Sequence, residues 1–252
     1  MQGRQRKRSQ STIQRIGANL QSLRVGVLEL PKIKPKFIIF DLDGTLADTI
    51  VDIGSSVNFV LSQFDLPIHK ISDYKHMVGD GFRVLVERVL PQDKSNDDRL
   101  FDEIFKLSMR RYEEHVLDET KPFPGMIETL EYLYRKGLKL AVLSNKPDRL
   151  SKKIIESLFA SVDFVAIWGD NKDRARKPDP SAALELCRIA KANPKQSLFV
   201  GDSAVDMQTA KAAGIAAVGA LYGYRSREEL ELAGADYLIS SPQELLSIVE
   251  SG

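Results

Sequence analysis

The chain has 252 residues, 43% hydrophobic and 28% charged, with 36 Lys and Arg against 35 Asp and Glu. Those proportions exclude wholesale disorder and fibrous classes, and the length suffices to bury a core in one large domain or two modest ones. A single cysteine, Cys187, excludes an intrachain disulfide, no Cys/His cluster offers a zinc site, and no apolar run reaches the roughly 18 residues of a membrane span.

Near-neutrality hides an uneven layout. Residues 1–28 carry Arg4, Arg6, Lys7, Arg8, Arg15 and Arg24 and no acid, while the remaining 224 residues hold 30 bases against 35 acids. A mildly acidic body excludes a broad nucleic-acid footprint there. Residues 1–33 read as a basic extension. The first 12 are Gln/Arg/Ser-rich and read as disordered. Ile13, Ile16, Leu20, Leu23 and Val27 then fall at helical spacing, up to Pro31 and Pro35. Such a stretch fits a transit peptide, a membrane-surface helix or a dispensable extension. The expected compartment is the cytoplasm, with organelle import through this segment as the alternative.

From Lys36 the pattern becomes that of a buried parallel sheet. Phe37–Phe40 is a continuous apolar run, and similar runs follow at 138–143, 164–168, 198–200, 215–218 and 237–239. Helical patterns separate the later runs, at 126–135, 149–159, 181–190, 205–213 and 242–249, with Gly137 and Gly214 where helix C-caps belong. This alternation predicts an α/β, Rossmann-like parallel sheet with helices on both faces. Residues 50–118 break it with helical stretches at 50–63, 71–78, 81–89 and 97–117. The expected division is an α/β core over 34–49 and 119–252 with an inserted helical cap over 50–118. The cap should sit at the carboxyl ends of the strands, where open α/β sheets bind ligands.

The densest chemistry lies in Asp41-Leu42-Asp43-Gly44-Thr45-Leu46-Ala47-Asp48. Two carboxylates two residues apart follow a buried strand. A turn explains Asp43-Gly44 but not a second acid closing an apolar strand. The run resembles the first motif of the haloacid dehalogenase superfamily, a hydrophobic strand followed by Asp-x-Asp-Gly-Thr. The resemblance continues through LAVLSNKP with Ser144, RKPDP with Lys177, and LFVGDSAVD with Asp202 and Asp206. It covers about residues 36–240, and four motifs in order make it specific.

What the resemblance implies is Mg²⁺-dependent hydrolysis of a phosphate monoester. Asp41 is then the nucleophile that forms an aspartyl-phosphate. Asp43 is the general acid for the leaving alkoxide and then the base for water. Mg²⁺ falls to the Asp41 side chain, the Asp43 carbonyl and Asp202. Asp206 is an outer or alternative ligand, or else a helix N-terminal acid favoured by the dipole. Lys177 sets an ammonium against Asp41 and the phosphate, unless it is one solvated base of the run Lys172, Arg174, Arg176, Lys177. Thr45, Ser144 and Asn145 are phosphate-binding candidates, with Lys146 beside them. The chemistry asks for these residue types independently: a nucleophile, a proton source, and positive charge on the phosphoryl oxygens.

His69, His76, His115, Cys187 and Trp168 read as structural. In the insert, Val78-Gly79-Asp80-Gly81 suits a loop close to a ligand, and Arg83 is a candidate contact for a substrate carboxylate. Together with the YGYR stretch at 222–225, these features look most like the phosphoglycolate phosphatase branch of the superfamily. The expected partner is a small phosphorylated metabolite, with 2-phosphoglycolate foremost, and the expected state is a monomer or homodimer. A β-phosphoglucomutase-type phosphotransferase, a pyrophosphatase or other sugar-phosphate phosphatase, and an inactive protein binding through the cap remain alternatives.

Overall fold

Four consecutive apolar residues with no exposed surface, Phe37–Phe40, form the central strand β1. It pairs in parallel with β4 (Lys139–Pro147) on one side and β6 (Ser197–Gly201) on the other, with Phe40 level with Val142 and Val200. β5 (Ala166–Asp170), β7 (Ala216–Ala220) and β8 (Tyr237–Ile239) complete a six-stranded parallel sheet in the order β5-β4-β1-β6-β7-β8. The structure, a computed structural model, describes residues 33–94 and 97–251. The helix expected within residues 1–33 lies outside them.

Side chains alternate across a strand, so β1 feeds two cores. Ile38, Phe40, Leu140, Val142, Leu198 and Val200 face one of them. That side is covered by α5 (Met126–Arg135), α6 (Asp148–Leu158) and α10 (Glu244–Glu250), through Leu130, Ile154 and Leu245. Phe37, Ile39, Ala141 and Phe199 face the other, against α7 (Ser181–Ala190), α8 (Ala204–Ala212) and α9 (Arg227–Leu232). Both sheet faces are therefore buried, which is why the strands read as unbroken apolar runs. Gly137 and Gly214 follow α5 and α8 with positive φ, at the expected helix ends.

Between β1 and the other five strands of the sheet lie α1 (Ile50–Gln63), α2 (Ile71–Tyr74), α3 (Phe82–Val89) and α4 (Asp98–His115). The segment is helical, as its spacing predicts, but α2 ends at Tyr74 rather than Val78. A two-residue antiparallel pair, β2 (Ala47–Asp48) with β3 (Lys121–Pro122), brackets it where the chain leaves and re-enters the sheet. That pair, the short α9 and a 3₁₀ turn at Pro194–Gln196 have no counterpart among the expected elements. β4 also runs four residues past Leu143, carrying Ser144, Asn145 and Lys146 on extended backbone. The described residues form one compact unit.

Candidate active site

β1, β4 and β6 end side by side, and the residues just beyond them converge. Asp41 closes β1; its N–H donates to the Val200 carbonyl at 2.9 Å, which keeps it in line with β6. Lys177 reaches over from the loop before α7. Its Nζ donates to Asp41 Oδ1 at 2.7 Å and to Asp206 Oδ1 at 2.6 Å, with its side chain 3% exposed. It is thus a buried bridge between two acids, not a solvated base. Asp202 follows β6, and its Oδ2 accepts from the Tyr224 N–H at 2.7 Å. Gly44 presses on the same carboxylate: a Cβ there would stand 2.3 Å from Asp202 Oδ2, and its φ is +83°. Only a glycine fits that turn without displacing Asp202.

Asp206 takes the helix N-terminal place that one of its readings gave it. It is the third residue of α8, and its Oδ2 accepts from Ser203 N at 3.1 Å and Ser203 Oγ at 2.6 Å in a capping box. Its other oxygen holds Lys177.

Asp41, Asp202 and Asp206 each bring an oxygen within 4.8 Å of the others, and all three are buried. Burial pushes the Asp41 carboxyl up to about 6; Lys177 opposes that rise, while Asp206 and Asp43 add to it. Burial, then Asp206 and Asp41, hold Asp202 well above the usual carboxylate range against the Tyr224 N–H and Arg225. Burial alone would lower Lys177, but Asp206 and Asp41 outweigh it and hold its ammonium above the ordinary range. Three buried carboxylates against one ammonium are under-compensated, and a buried charge without a partner is costly. An all-oxygen donor set with that deficit fits a hard divalent cation such as Mg²⁺.

Beside this cluster opens a cleft lined from the sheet by Asp41, Asp43, Ser144 and Lys146 and from the insert by Val78, Gly79, Phe82 and Tyr112. The insert thus covers the carboxyl ends of the strands. Asp43 accepts from Thr49 Oγ1 at 2.7 Å and from Lys146 Nζ at 2.9 Å and 3.1 Å, one bond to each oxygen. Ser144, 5% exposed, lines the cleft and its Oγ accepts from the Lys146 N–H at 3.3 Å.

Three expected phosphate or substrate contacts are placed otherwise. Thr45 is fully buried and its hydroxyl points at Asp202 Oδ1, 3.4 Å away, so it faces the acidic cluster. Asn145 lines the cleft, but its amide is spent on backbone: it donates to the Gly79 and Lys177 carbonyls at 3.1 Å each and accepts from the Lys177 N–H at 2.9 Å. It ties loops together. Arg83 lies on the outer side of α3, because Phe82, Leu85 and Val86 take the inner side. It is 55% exposed, pairs loosely with Glu87 and Asp102, and stacks over Phe101.

Lys146 and the residues around it carry more of the cleft than the sequence suggested. Tyr112 donates no visible signal: it continues the buried stripe Phe101, Ile104, Ser108 of α4 and so reads as core. Tyr224 lies within the YGYR stretch, and Thr49 directly follows the Asp41–Asp48 run. Tyr224 Oη accepts from the Thr49 N–H at 2.9 Å and donates to Asp48 Oδ1 at 3.0 Å, which joins the Asp202 loop to the Asp43 loop. The histidines lie outside the cleft; His69 bonds the Val89 carbonyl and His115 pairs with Asp118. Cys187 is buried in the second core, and Trp168 stacks under Arg174.

Residues 38–220 match the family described as haloacid dehalogenase-like hydrolase. The chain belongs to that family. Phosphoglycolate phosphatase of Pseudomonas putida is 36% identical over 220 residues, covering 86% of this chain and 80% of its own. That of Aquifex aeolicus is 35% identical over 216 residues, 86% of this chain and 97% of its own. Among solved structures, a predicted phosphoglycolate phosphatase from Haemophilus somnus superposes with a TM-score of 0.79 at 30% identity, covering 85% of this chain and 98% of that one. The chain is accordingly an enzyme, a phosphatase of the haloacid dehalogenase-like family. No helix among the described residues is long and apolar enough to cross a membrane.

Proposed function

We propose that the protein is a Mg²⁺-dependent phosphomonoesterase that works through an aspartyl-phosphate on Asp41 and takes 2-phosphoglycolate as its substrate. The observation that carries this reading is the buried Asp41–Lys177–Asp206 bridge beside Asp202, with Asp43 two residues on and lining the same cleft as Asp41. Residues 50–118 act as the cap that closes the site.

One Asp41 oxygen is held by Lys177, which leaves Oδ2 to attack phosphorus. As the Asp41–phosphorus bond forms, the bond to the ester oxygen breaks, and Asp43 gives its proton to the departing alkoxide. Asp43, now a carboxylate, takes a proton from water. That water attacks phosphorus, the Asp41 carboxylate departs, and inorganic phosphate and an intact enzyme result. Lys177 stays charged throughout and stabilises the anionic phosphoryl oxygens. Asp41, Asp202 and the Asp43 carbonyl would hold Mg²⁺, with Asp206 beyond them; when bound, it supplies the charge that lets a phosphate dianion approach the carboxylates. Ser144 offers its hydroxyl to a phosphate oxygen. Seating the insert over the cleft excludes bulk water.

Phosphate release over 2-phosphoglycolate, sugar phosphates, nucleotides and pyrophosphate tests the reading. It predicts the highest kcat/KM for 2-phosphoglycolate, and activity at background in Asp41→Asn or with excess EDTA. A flat profile contradicts the substrate; turnover by Asp41→Asn contradicts the chemistry.

A further inference from the structure

Lys146 stands at the centre of the cleft, yet the phosphate chemistry above gives it no part. Its Nζ bonds both oxygens of Asp43 and the hydroxyl of Tyr112, and it lies 4.5 Å from the centroid of the Tyr112 ring. The side chain is 2% exposed, so this is no solvated base. An ammonium has three donors, and here each has a partner inside the protein. Among the described residues lining the cleft, it is the single base.

The two holders of that ammonium come from different parts of the fold. Asp43 stands in the loop after β1 of the sheet, whereas Tyr112 belongs to α4 of the insert. Tyr112 is fully buried, and its ring stacks on Phe82 at 5.9 Å and 8°, which fixes where its hydroxyl stands. On its other flank Asp43 is held by Thr49. A free Asp side chain samples several staggered rotamers, while proton transfer needs heavy atoms about 2.6–3.2 Å apart. A grip on both carboxylate oxygens removes that freedom.

We infer that Lys146 is a positioning residue for Asp43, and that Tyr112 locks it in place, so that seating the insert also aims the acid/base carboxylate. This rests on the reading of Asp43 as proton donor. Acting through Asp43, Lys146 matters where the leaving group needs a proton. An alkyl phosphate such as 2-phosphoglycolate expels an alkoxide, whereas p-nitrophenyl phosphate expels a phenolate that leaves unaided.

The test is the first-turnover rate at which the leaving alcohol is released, and the substrate concentration that half-saturates it, for the full chain with Mg²⁺ on p-nitrophenyl phosphate and on the alkyl phosphate it turns over best; this rate excludes the hydrolysis of the aspartyl-phosphate that both esters share. Lys146→Met is expected to lower that rate on the alkyl ester about tenfold or more beyond any loss on the aryl ester. The half-saturating concentration should stay within about twofold. Tyr112→Phe should shift the same ratio in the same direction by less. The double variant Asp43→Asn/Lys146→Met should lose no more on the alkyl ester than Asp43→Asn alone, because the two act as one unit. Equal losses on both esters overturn the proposal, as do independent losses in the double variant. A raised half-saturating concentration for 2-phosphoglycolate alone in the first turnover also overturns it, because Lys146 would then be a substrate contact. If Asp43→Asn itself fails to discriminate between the esters, the acid/base reading falls and the proposal with it; discrimination in Asp43→Asn without it in Lys146→Met overturns the proposal alone. Should Lys146→Met not fold, Tyr112→Phe, which removes one hydroxyl, decides by the same ratio.

Discussion

Lys177 does for the acidic cluster what no single carboxylate can do for itself. It neutralises one charge of three, and its two bonds span α8 and β1. Removing it leaves Asp41 and Asp206 buried without a counter-charge, which typically costs about 3–5 kcal/mol. Lys177→Met should therefore lower the metal-free unfolding free energy by about that amount in urea titrations, and saturating Mg²⁺ should restore part of it. A metal-free loss below about 1 kcal/mol contradicts the buried-pair account. Asp41, Asp43, Asp202 and Lys177 were legible in the sequence because each stands just after an apolar run or just before a helix, whereas Asp206 lies inside the first turn of α8. Arg83 misled because a loop with two glycines says where the chain approaches a ligand, not which way the next side chain points. Which polar groups were already spent, as in Asn145 and Thr45, depends on partners 32 to 157 residues away and has no local signature.

At the scale of elements, the sheet is organised by β1. Its four residues alternate between two cores, and every neighbour in register but Lys139 is buried. Phe40 is fully buried directly before Asp41, so Phe40→Ala leaves a cavity under the nucleophile and should cost about 3–5 kcal/mol in chemical denaturation. A cost under about 1 kcal/mol would mean that this end of β1 is loosely packed. Unbroken apolar runs made the six strands readable from sequence, since both faces are covered. The extension of β4 through Ser144, Asn145 and Lys146 was not, because polar residues there are held by backbone geometry at the site. α9 did carry a start signal, Ser226 capping Glu229, but its six residues are mostly charged and show too little periodicity to register. The β2–β3 pair joins residues 73 and 75 apart through two bridges and leaves no pattern at all.

Across the whole molecule, the insert is fastened to the sheet by donors that reach across to its backbone. Arg225 donates to the Lys75 and Val78 carbonyls, at 2.7 Å for the latter, and Asn145 donates to that of Gly79. Together with Tyr112 on Lys146, these bonds fix the loop over the cleft from several sides. Arg225→Met should leave the sheet folded yet speed amide exchange at residues 75–81, read by hydrogen-exchange mass spectrometry; unchanged exchange there would show that Arg225 is not a fastening. The account as a whole stands on a covalent bond between Asp41 and the substrate's phosphorus. Acid quenching during turnover with Mg²⁺, followed by peptide mass spectrometry, tests that directly. The predicted result is one added phosphoryl group on the peptide carrying Asp41, absent from Asp41→Asn. Steady turnover with no phosphorylated peptide, or with the group on another residue, would contradict it.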